Sequence, residues 1–395
     1  MVPYPARAEA PIQILGQKQS YTFSQALSFS LEAKSISPIT EVILFYGQVG
    51  ERLVRRIYPK FSPGTHVRVS YTEELQRGQY SPGIRFRVWW ELHTQDGHTL
   101  KTPTKTFEYT DNNHDWRLLQ GKRVDLYWYG EKEKRAQELL SKAEEVLTRL
   151  EEEIGVAVKE RVRIYVYNSR QDMLPALSPR SEGYDERVLT LGVVVAKDTL
   201  LLLGSRSDVD QILAHELCHI VVGMATENPY SDLPRWLDEG LAMYAEGKLP
   251  PENAHALERA IQEDSLLSIR SMSSYSGQAS QVDLFYGEAY SIVDFLLREY
   301  GREKMRAFLD VFAQGALQEE ALQRVYGFGL DELNARWRAS LGLPAERAAT
   351  ATPAPKESAA PSRRGVCFGS VGSLLLPLFG LIYRQRSQRT PKESH

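Results

Sequence analysis

The chain has 395 residues, 42% of them hydrophobic and 25% charged, which is enough for two globular domains with packed cores. The formal net charge is only −3 and no dense basic block precedes the last residues, so nucleic acid is excluded as an indicated partner. The two cysteines, Cys218 and Cys367, are far apart in sequence, which argues against a structural disulfide.

Residues 1–10 lack an apolar stretch but contain the small-x-small pattern of a signal-peptide cleavage region. They fit either the remnant of a leader or an ordinary flexible N-terminus. From residue 11 to residue 112, short runs alternate apolar and polar residues, as in Ile84 to Trp90, with turn signals between them. This period of two predicts an antiparallel β-sandwich of immunoglobulin-like type. The histidines here are scattered and predict no ligand cluster: His66, His93 and His98.

A mixed α+β region is predicted from residue 113 to residue 343. A short strand at Val124 to Tyr129 precedes the segment Glu131 to Glu153, where apolar residues recur at helical spacing. That spacing predicts one amphipathic helix packed against a sheet. Further strands are expected at Val162 to Tyr167 and in the apolar stretch Gly192 to Gly204.

The next predicted helix carries His215-Glu216-Leu217-Cys218-His219 in its middle. We expect Ser207 to cap it, with Asp210 three residues on. Two histidines four residues apart lie about 40° apart around a helix axis, so both imidazoles can reach one metal ion. Glu216 stands where a carboxylate takes a proton from a metal-bound water, which makes it the candidate general base. The alternative is a helix with two histidines and no metal.

A third ligand is needed, because zinc in hydrolytic sites takes three protein ligands and leaves one position for water. Position 225, six residues after His219, is alanine, which removes the metzincin arrangement. Glu239 is the remaining good candidate and lies on a second predicted helix. Cys218 is expected to be a small buried residue, since a thiolate ligand would close the position that hydrolysis needs.

These segments resemble the gluzincin metallopeptidases, the group that contains thermolysin and the zinc aminopeptidases. The stretch Trp236 to Ala242 is similar to the W-L-x-E-G-x-A segment of the aminopeptidase branch, whose glutamate is the third zinc ligand. The resemblance implies Zn²⁺ held by His215, His219 and Glu239, with Asp238 outside the ligand set. It covers about residues 125–341 and is closest to the peptidase MA family.

The chain departs from the gluzincin pattern in two places. Thermolysin-like members carry an aspartate four residues after the ligand glutamate that orients a zinc histidine, and Met243 stands there in this chain. Support for His215 must therefore come from elsewhere. The glycine and glutamate motif with which aminopeptidases bind a substrate N-terminus is not found, so aminopeptidase specificity is not implied.

A further segment, Asp283 to Tyr300, is similar to the aminopeptidase segment whose tyrosine stabilises the tetrahedral oxyanion. The resemblance implies this role for Tyr286; Tyr290, one helical turn later, is the rival, and a core aromatic is the alternative for either. The apolar strand Gly192 to Ala196 falls where gluzincins place the edge strand that pairs with extended substrate, and an interior strand is the alternative.

The composition changes at Pro344. Residues 344–364 are rich in Ala, Pro, Ser and Thr and predict a linker. Residues 365–383 form an uncharged run that predicts a single transmembrane anchor, with a processed sorting signal or an interfacial segment as alternatives. Residues 384–395 form a basic tail, and the excess of positive charge on that side predicts a cytoplasmic tail and an extracytoplasmic catalytic domain. Cys367 is expected to be unmodified, with lipidation as the alternative.

The sequence as a whole predicts a membrane-anchored zinc metallopeptidase, with a peptide or protein as its substrate. A catalytically silent surface binding or adhesion module built on the same fold is the competing hypothesis.

Overall fold

The computed structural model describes residues 11–178, 192–230, 232–274 and 281–345. Its strands are β1 (Ile12–Thr22), β2 (Ala26–Gln48), β3 (Arg55–Ile57), β4 (Gly64–Glu74), β5 (Ile84–Thr94), β6 (Thr99–Lys101), β7 (Lys105–Tyr109), β8 (Arg117–Gln120), β9 (Val124–Trp128), β10 (Val162–Tyr167), β11 (Val193–Ala196) and β12 (Thr199–Leu203). Its α-helices are α1 (Glu133–Glu153), α2 (Arg170–Met173), α3 (Val209–Thr226), α4 (Arg235–Ala245), α5 (Pro251–Gln262), α6 (Val282–Ala313), α7 (Gln318–Tyr326) and α8 (Leu330–Ser340).

Several predicted segments lie outside the described residues: the leader remnant at 1–10, nearly all of the linker, the membrane segment at 365–383 and the tail at 384–395. Among the helices that the structure does describe, none has both the length and the apolar character needed to span a bilayer.

The first seven strands pair only antiparallel, which confirms the predicted β-rich N-terminal domain. The immunoglobulin-like sandwich form stays a prediction, and the pairing of the strands shows one feature that was not predicted. Strand β2 has 23 residues; its first part pairs with β1 and β4, and its second part pairs with β3 and β5. A register shift between Lys34 and Ile39 separates the two parts. One long strand therefore joins all seven strands into a single continuous network.

The second sheet has five strands in the order β11-β12-β10-β9-β8. Its centre is parallel, since β10 runs parallel to both β9 and β12, while β11 and β8 pair antiparallel at the two ends. Of the two alternatives for the apolar stretch that begins at Gly192, the structure therefore shows a strand at the end of the sheet.

The two faces of this sheet have different compositions because they contact different partners. Aliphatic side chains on one face pack into the core shared with the helices, and they include Leu126, Ile164, Leu200 and Leu202. Tyrosines dominate the other face and pack into the core of the N-terminal strands, and they include Tyr127, Tyr129, Tyr165 and Tyr167. Both faces are therefore covered, as expected for a largely parallel sheet.

Helix α3, which carries His215 and His219, begins one residue later than predicted. The N-cap of α3 is Asp208, not Ser207, and it makes no side-chain capping bond. Its carboxylate is instead held by Arg206, with an Nε to Oδ1 distance of 2.7 Å. Helix α4 packs closely on α6, because Gly240 places its backbone against Ala289. This close approach fixes α4 beside α3 and so determines where Glu239 lies.

Candidate metal centre

His215 and His219 lie on one face of α3, one helical turn apart. Their ring centroids are 4.9 Å apart and the ring planes are inclined at 74°. Both side chains are about one-fifth exposed, although the neighbouring helix positions Ala214, Leu217 and Cys218 are buried. The histidine edges therefore open toward solvent while the rest of the helix is packed, which is the placement that a hydrolytic metal site requires.

Glu239 of α4 faces both rings. Its Oε2 lies 3.5 Å from Nε2 of His215 and 3.7 Å from Nε2 of His219. One ligand atom from each of the three residues lies within 4.8 Å of the others. A tetrahedral zinc ion with bonds of about 2.0–2.2 Å separates its ligands by roughly 3.3–3.5 Å. The donor set and its spacing therefore fit one zinc ion.

A second carboxylate supports each histidine from behind. Nδ1 of His215 lies 2.8 Å from Oε1 of Glu246, and Nδ1 of His219 lies 3.0 Å from Oδ1 of Asp238. With Nδ1 donating to a carboxylate, Nε2 keeps its lone pair for a metal. The support for His215 that Met243 cannot supply thus comes from Glu246, and Asp238 supports a ligand rather than being one.

Arg235 contributes a positive charge at the outer side of the site. Its Nη1 lies 3.1 Å from Oδ2 of Asp238 and 3.6 Å from Oε1 of Glu239. It therefore contacts the carboxylate oxygens that face away from the histidines. This arrangement leaves Oε2 of Glu239 as the oxygen directed at the metal position.

Carboxylates surround the two imidazoles and favour a positive charge on the rings or between them. Burial on its own lowers the pKa of His215, but hydrogen bonds to Glu239 and Glu246 outweigh it and raise that pKa to about 10. Burial likewise lowers the pKa of His219, and the hydrogen bond and charge of Asp238 raise it overall. The negative charge of these carboxylates can be balanced by protons on both rings or by one divalent cation between the rings.

Glu216 lies next to His215 on α3 and is directed at β11. Burial raises the pKa of its carboxyl, while the charges of the two histidines and a hydrogen bond from the backbone N–H of Val194 oppose that rise. Gly192 keeps this space open, because a Cβ there would lie 2.9 Å from Cγ2 of Ile212 and 3.4 Å from Cγ of Glu216. A raised carboxyl pKa suits a group that accepts a proton and returns it.

The two candidate tyrosines on α6 are placed differently. Tyr290 stacks against Tyr244 of α4, with ring centroids 6.1 Å apart. Tyr286 is only partly buried and packs edge-on against Phe285, with centroids 5.7 Å apart. The assignment of the oxyanion role to Tyr286 stays a prediction. Tyr290 is also partly buried and stays the rival candidate.

Cys218 is fully buried in the helical core, and burial raises the pKa of its thiol well above the usual range. A neutral, enclosed thiol is a packing residue. It is not a member of the cluster formed by His215, His219 and Glu239.

The supporting residues Glu246, Asp238 and Arg235 were missed by the sequence analysis. A signal for Glu246 was present: it follows Glu239 by seven residues, which is two helical turns and the same helix face. Asp238 and Arg235 had no such signal, since their role depends on how closely α4 lies beside α3.

The family of the chain is shown by one comparison with known proteins. The family model described as the Peptidase MA superfamily matches residues 142–342, just over half of the chain. A mutant M1 zinc metallopeptidase from Deinococcus radiodurans is 15% identical over 86% of this chain and 95% of its own, with a TM-score of 0.37. Aminopeptidase A from Legionella pneumophila, crystallised with aspartic acid, is 11% identical over 86% of this chain and 50% of its own, with a TM-score of 0.36. No curated protein sequence matches the chain.

The matched residues 142–342 include the histidine-bearing helix α3, the glutamate-bearing helix α4 and most of the helical core around them. The predicted resemblance to the peptidase MA family is confirmed. By its family match and by the site that its helices build, the chain belongs to the Peptidase MA superfamily.

Proposed function

We propose that the protein is a zinc-dependent metallopeptidase that hydrolyses peptide bonds. The observation that carries this proposal is the convergence of His215, His219 and Glu239 with Glu216 directly beside them. Three donors of the types that zinc prefers leave a fourth position open for water, and the partly buried carboxyl of Glu216 follows His215 directly on the same helix. When bound by these three donors, zinc would polarise a substrate carbonyl and acidify a water molecule.

In this proposal the side chains of the site have three different roles. His215 and His219 present Nε2 to the metal because Glu246 and Asp238 hold their Nδ1 atoms. Glu216 accepts the proton of the attacking water and passes it to the leaving amine. Tyr286 donates its phenol hydrogen to the oxyanion that forms on the substrate carbonyl oxygen.

A pair of measurements tests this function. The purified full-length protein is analysed for metal content, and wild type is compared with Glu216→Gln on a library of proteome-derived peptides. We expect about one zinc per chain in both proteins and hydrolysis in the wild type only. Glu299→Gln, an exposed change on α6, is the matched control and should keep full activity.

Two results would overturn the proposal. A protein without stoichiometric zinc has no metallopeptidase centre. A Glu216→Gln protein that cleaves as fast as wild type does not use this glutamate as its base. Zinc binding with no cleavage of any library peptide would instead support the silent binding or adhesion module.

We also propose that residues 365–383 hold the catalytic region at an extracytoplasmic membrane surface, on the sequence grounds given above. Carbonate extraction of cell membranes, followed by protease treatment of intact cells, tests this location. Resistance to carbonate and accessibility to protease are expected, and release of the protein by carbonate would contradict membrane insertion.

A further inference from the structure

Residues 49–60, which connect β2 to β4 and include the short strand β3, form the most exposed apolar segment of the N-terminal strands. Leu53 is 84% exposed, and Tyr58 and Val49 are 54% and 45% exposed. The described part of the chain has eight exposed large hydrophobic residues, and three of them fall within these twelve positions. Isolated exposed apolar residues are normal, but a concentration of them marks a surface that contacts something else. We refer to residues 49–60 as the basic hairpin.

The basic hairpin combines these apolar side chains with positive charge. Its charged residues are Glu51, Arg52, Arg55, Arg56 and Lys60, which gives it a formal net charge of +3. Arg55 is paired with Glu73 at 2.6 Å, whereas Arg56 lies over the rings of Phe45 and Tyr58 at 5.8 and 5.0 Å. Arg52, Arg56 and Lys60 are exposed.

The basic hairpin is held in a defined position. The N–H of Val49 donates to the carbonyl oxygen of Arg85 at 2.8 Å, and Nη2 of Arg87 donates to the carbonyl oxygen of Glu51 at 2.6 Å. A Cβ on Gly47 would lie 2.7 Å from the carbonyl oxygen of Leu53, so this glycine lets the two backbones approach closely. The Leu53 side chain is therefore exposed on a fixed backbone and not on a loose loop.

The sheet beside the basic hairpin continues the same chemistry. Phe45 and Trp89 stack with centroids 5.1 Å apart, and Lys101 lies over Trp89 at 4.9 Å. Together with Arg56 they form a row across four neighbouring strands in which two cations enclose two aromatic rings. Since these ring faces are occupied, the accessible features of this surface are its cations and the exposed apolar side chains.

We propose that the basic hairpin docks on a membrane surface that contains anionic lipid, with Leu53, Tyr58 and Val49 entering the interface and Arg52, Arg56 and Lys60 contacting lipid phosphates. Charge complementarity selects the anionic headgroups, and the exposed apolar side chains require an apolar layer beneath them. A soluble polyanion would supply negative charge but no apolar layer for Leu53, so a membrane surface fits the basic hairpin better. The inference is independent of peptidase activity and of the C-terminal segment.

A fluorescent label at the basic hairpin tests the proposal in the full chain. Leu53→Cys is combined with Cys367→Ser, Cys218 being fully buried, and the protein is added to vesicles of phosphatidylcholine with or without phosphatidylglycerol. Nitroxide groups on the lipid acyl chains report entry of the label into the bilayer. A label at the exposed position Ser70→Cys on β4 is the matched control. We expect quenching at position 53 with phosphatidylglycerol present, and none at position 70.

The charge contribution is tested separately. Replacing Arg52, Arg56 and Lys60 together by glutamine should weaken vesicle binding at position 53 about a hundredfold, at roughly fivefold for each basic residue. The matched control removes the same charge from an exposed surface elsewhere, at Lys122, Lys132 and Lys134, and should change binding little. Raising the salt concentration should also weaken vesicle binding by the wild-type protein.

Three outcomes would overturn the proposal. The first is no quenching at position 53 with either lipid. The second is equal quenching with and without phosphatidylglycerol, since the anionic lipid would then play no part. The third is a soluble polyanion such as dextran sulfate binding the basic hairpin while vesicles do not.

Discussion

Nδ1 of His215 lies 2.8 Å from Oε1 of Glu246, seven residues beyond the glutamate that faces the same histidine from the other side. Helix α4 supplies the candidate metal ligand, and its C-cap residue supplies the group that orients the histidine. A single shift of α4 would disturb both contacts at once.

Replacing Glu246 by glutamine should weaken zinc binding about 10- to 100-fold, because a neutral amide orients the ring without raising its basicity. Competition with a chelating indicator measures this affinity directly, whether or not a substrate is known. Glu263→Gln, an exposed change just after α5, is the control. An unchanged affinity in the Glu246 variant would show that His215 needs no carboxylate behind it.

Tyr286→Phe should lower kcat about 10²- to 10³-fold and leave KM nearly unchanged, since the phenol would bind only the oxyanion of the transition state. Tyr290→Phe removes a hydroxyl from the same helix and should have little effect. If the Tyr290 variant shows the larger loss of kcat, the roles are reversed.

Gly240→Ala should destabilise the protein by about 1–3 kcal/mol, since an added methyl forces apart two packed helices. The new Cβ would lie 2.7 Å from Cγ2 of Val293 and closer still to the backbone oxygen of Ala289. Urea unfolding measures the loss, and the displacement of α4 should also weaken zinc binding.

The matched control for that change is Gly223→Ala on α3. A Cβ at this position meets nothing within 4 Å. Because alanine is the better helix former, we expect a gain of about 0.5–1 kcal/mol. Equal destabilisation by both substitutions would mean that packing at Gly240 is not the cause.

Glu288 on α6 should make the stability depend on pH. Its side chain is fully buried and accepts a hydrogen bond from the backbone N–H of Leu267 at 2.9 Å. Burial raises the pKa of its carboxyl to about 8, with the bond from Leu267 opposing that rise. The folded protein therefore holds this proton up to a higher pH than the unfolded chain does.

A pKa that is raised in the folded state stabilises the protein fully at a pH below the unfolded value, which is about 4.3 for a glutamate. The stabilisation falls as the pH rises and is lost above about 8, where both states are ionised. Glu288→Gln should flatten this dependence, measured by urea unfolding at several values of pH between 5 and 8.5. Glu299→Gln, exposed on the same helix, should retain the wild-type slope.

Periodicity in the sequence was sufficient to predict the helices and strands that bury one face. In α1 the buried residues are those that recur at helical spacing, among them Leu139, Val146 and Leu150. The spacing of His215 and His219 likewise places both rings on one helix face. These features depend on contacts within a single helix, so the local sequence determines them.

Features that depend on two separate elements could not be predicted in this way. Ser207 had the residue type of a helix cap, but the N-cap of α3 is Asp208, whose carboxylate pairs with Arg206. The continuity of β2 through two groups of strands had no local signal either. The metal-ligand pattern predicts that Glu239 approaches the two histidines, but no local signal indicates that Asp238 also reaches His219.

The tyrosine-rich face of the second sheet has a consequence for how the chain folds. Tyr167 donates to the buried carboxylate of Asp111 at 3.0 Å, and Tyr165 and Leu201 belong to the same core as Phe86 and Trp90. This core therefore contains side chains from both the N-terminal strands and the second sheet. The N-terminal strands and the peptidase region should therefore melt in a single calorimetric transition, and proteolysis between them should yield insoluble fragments.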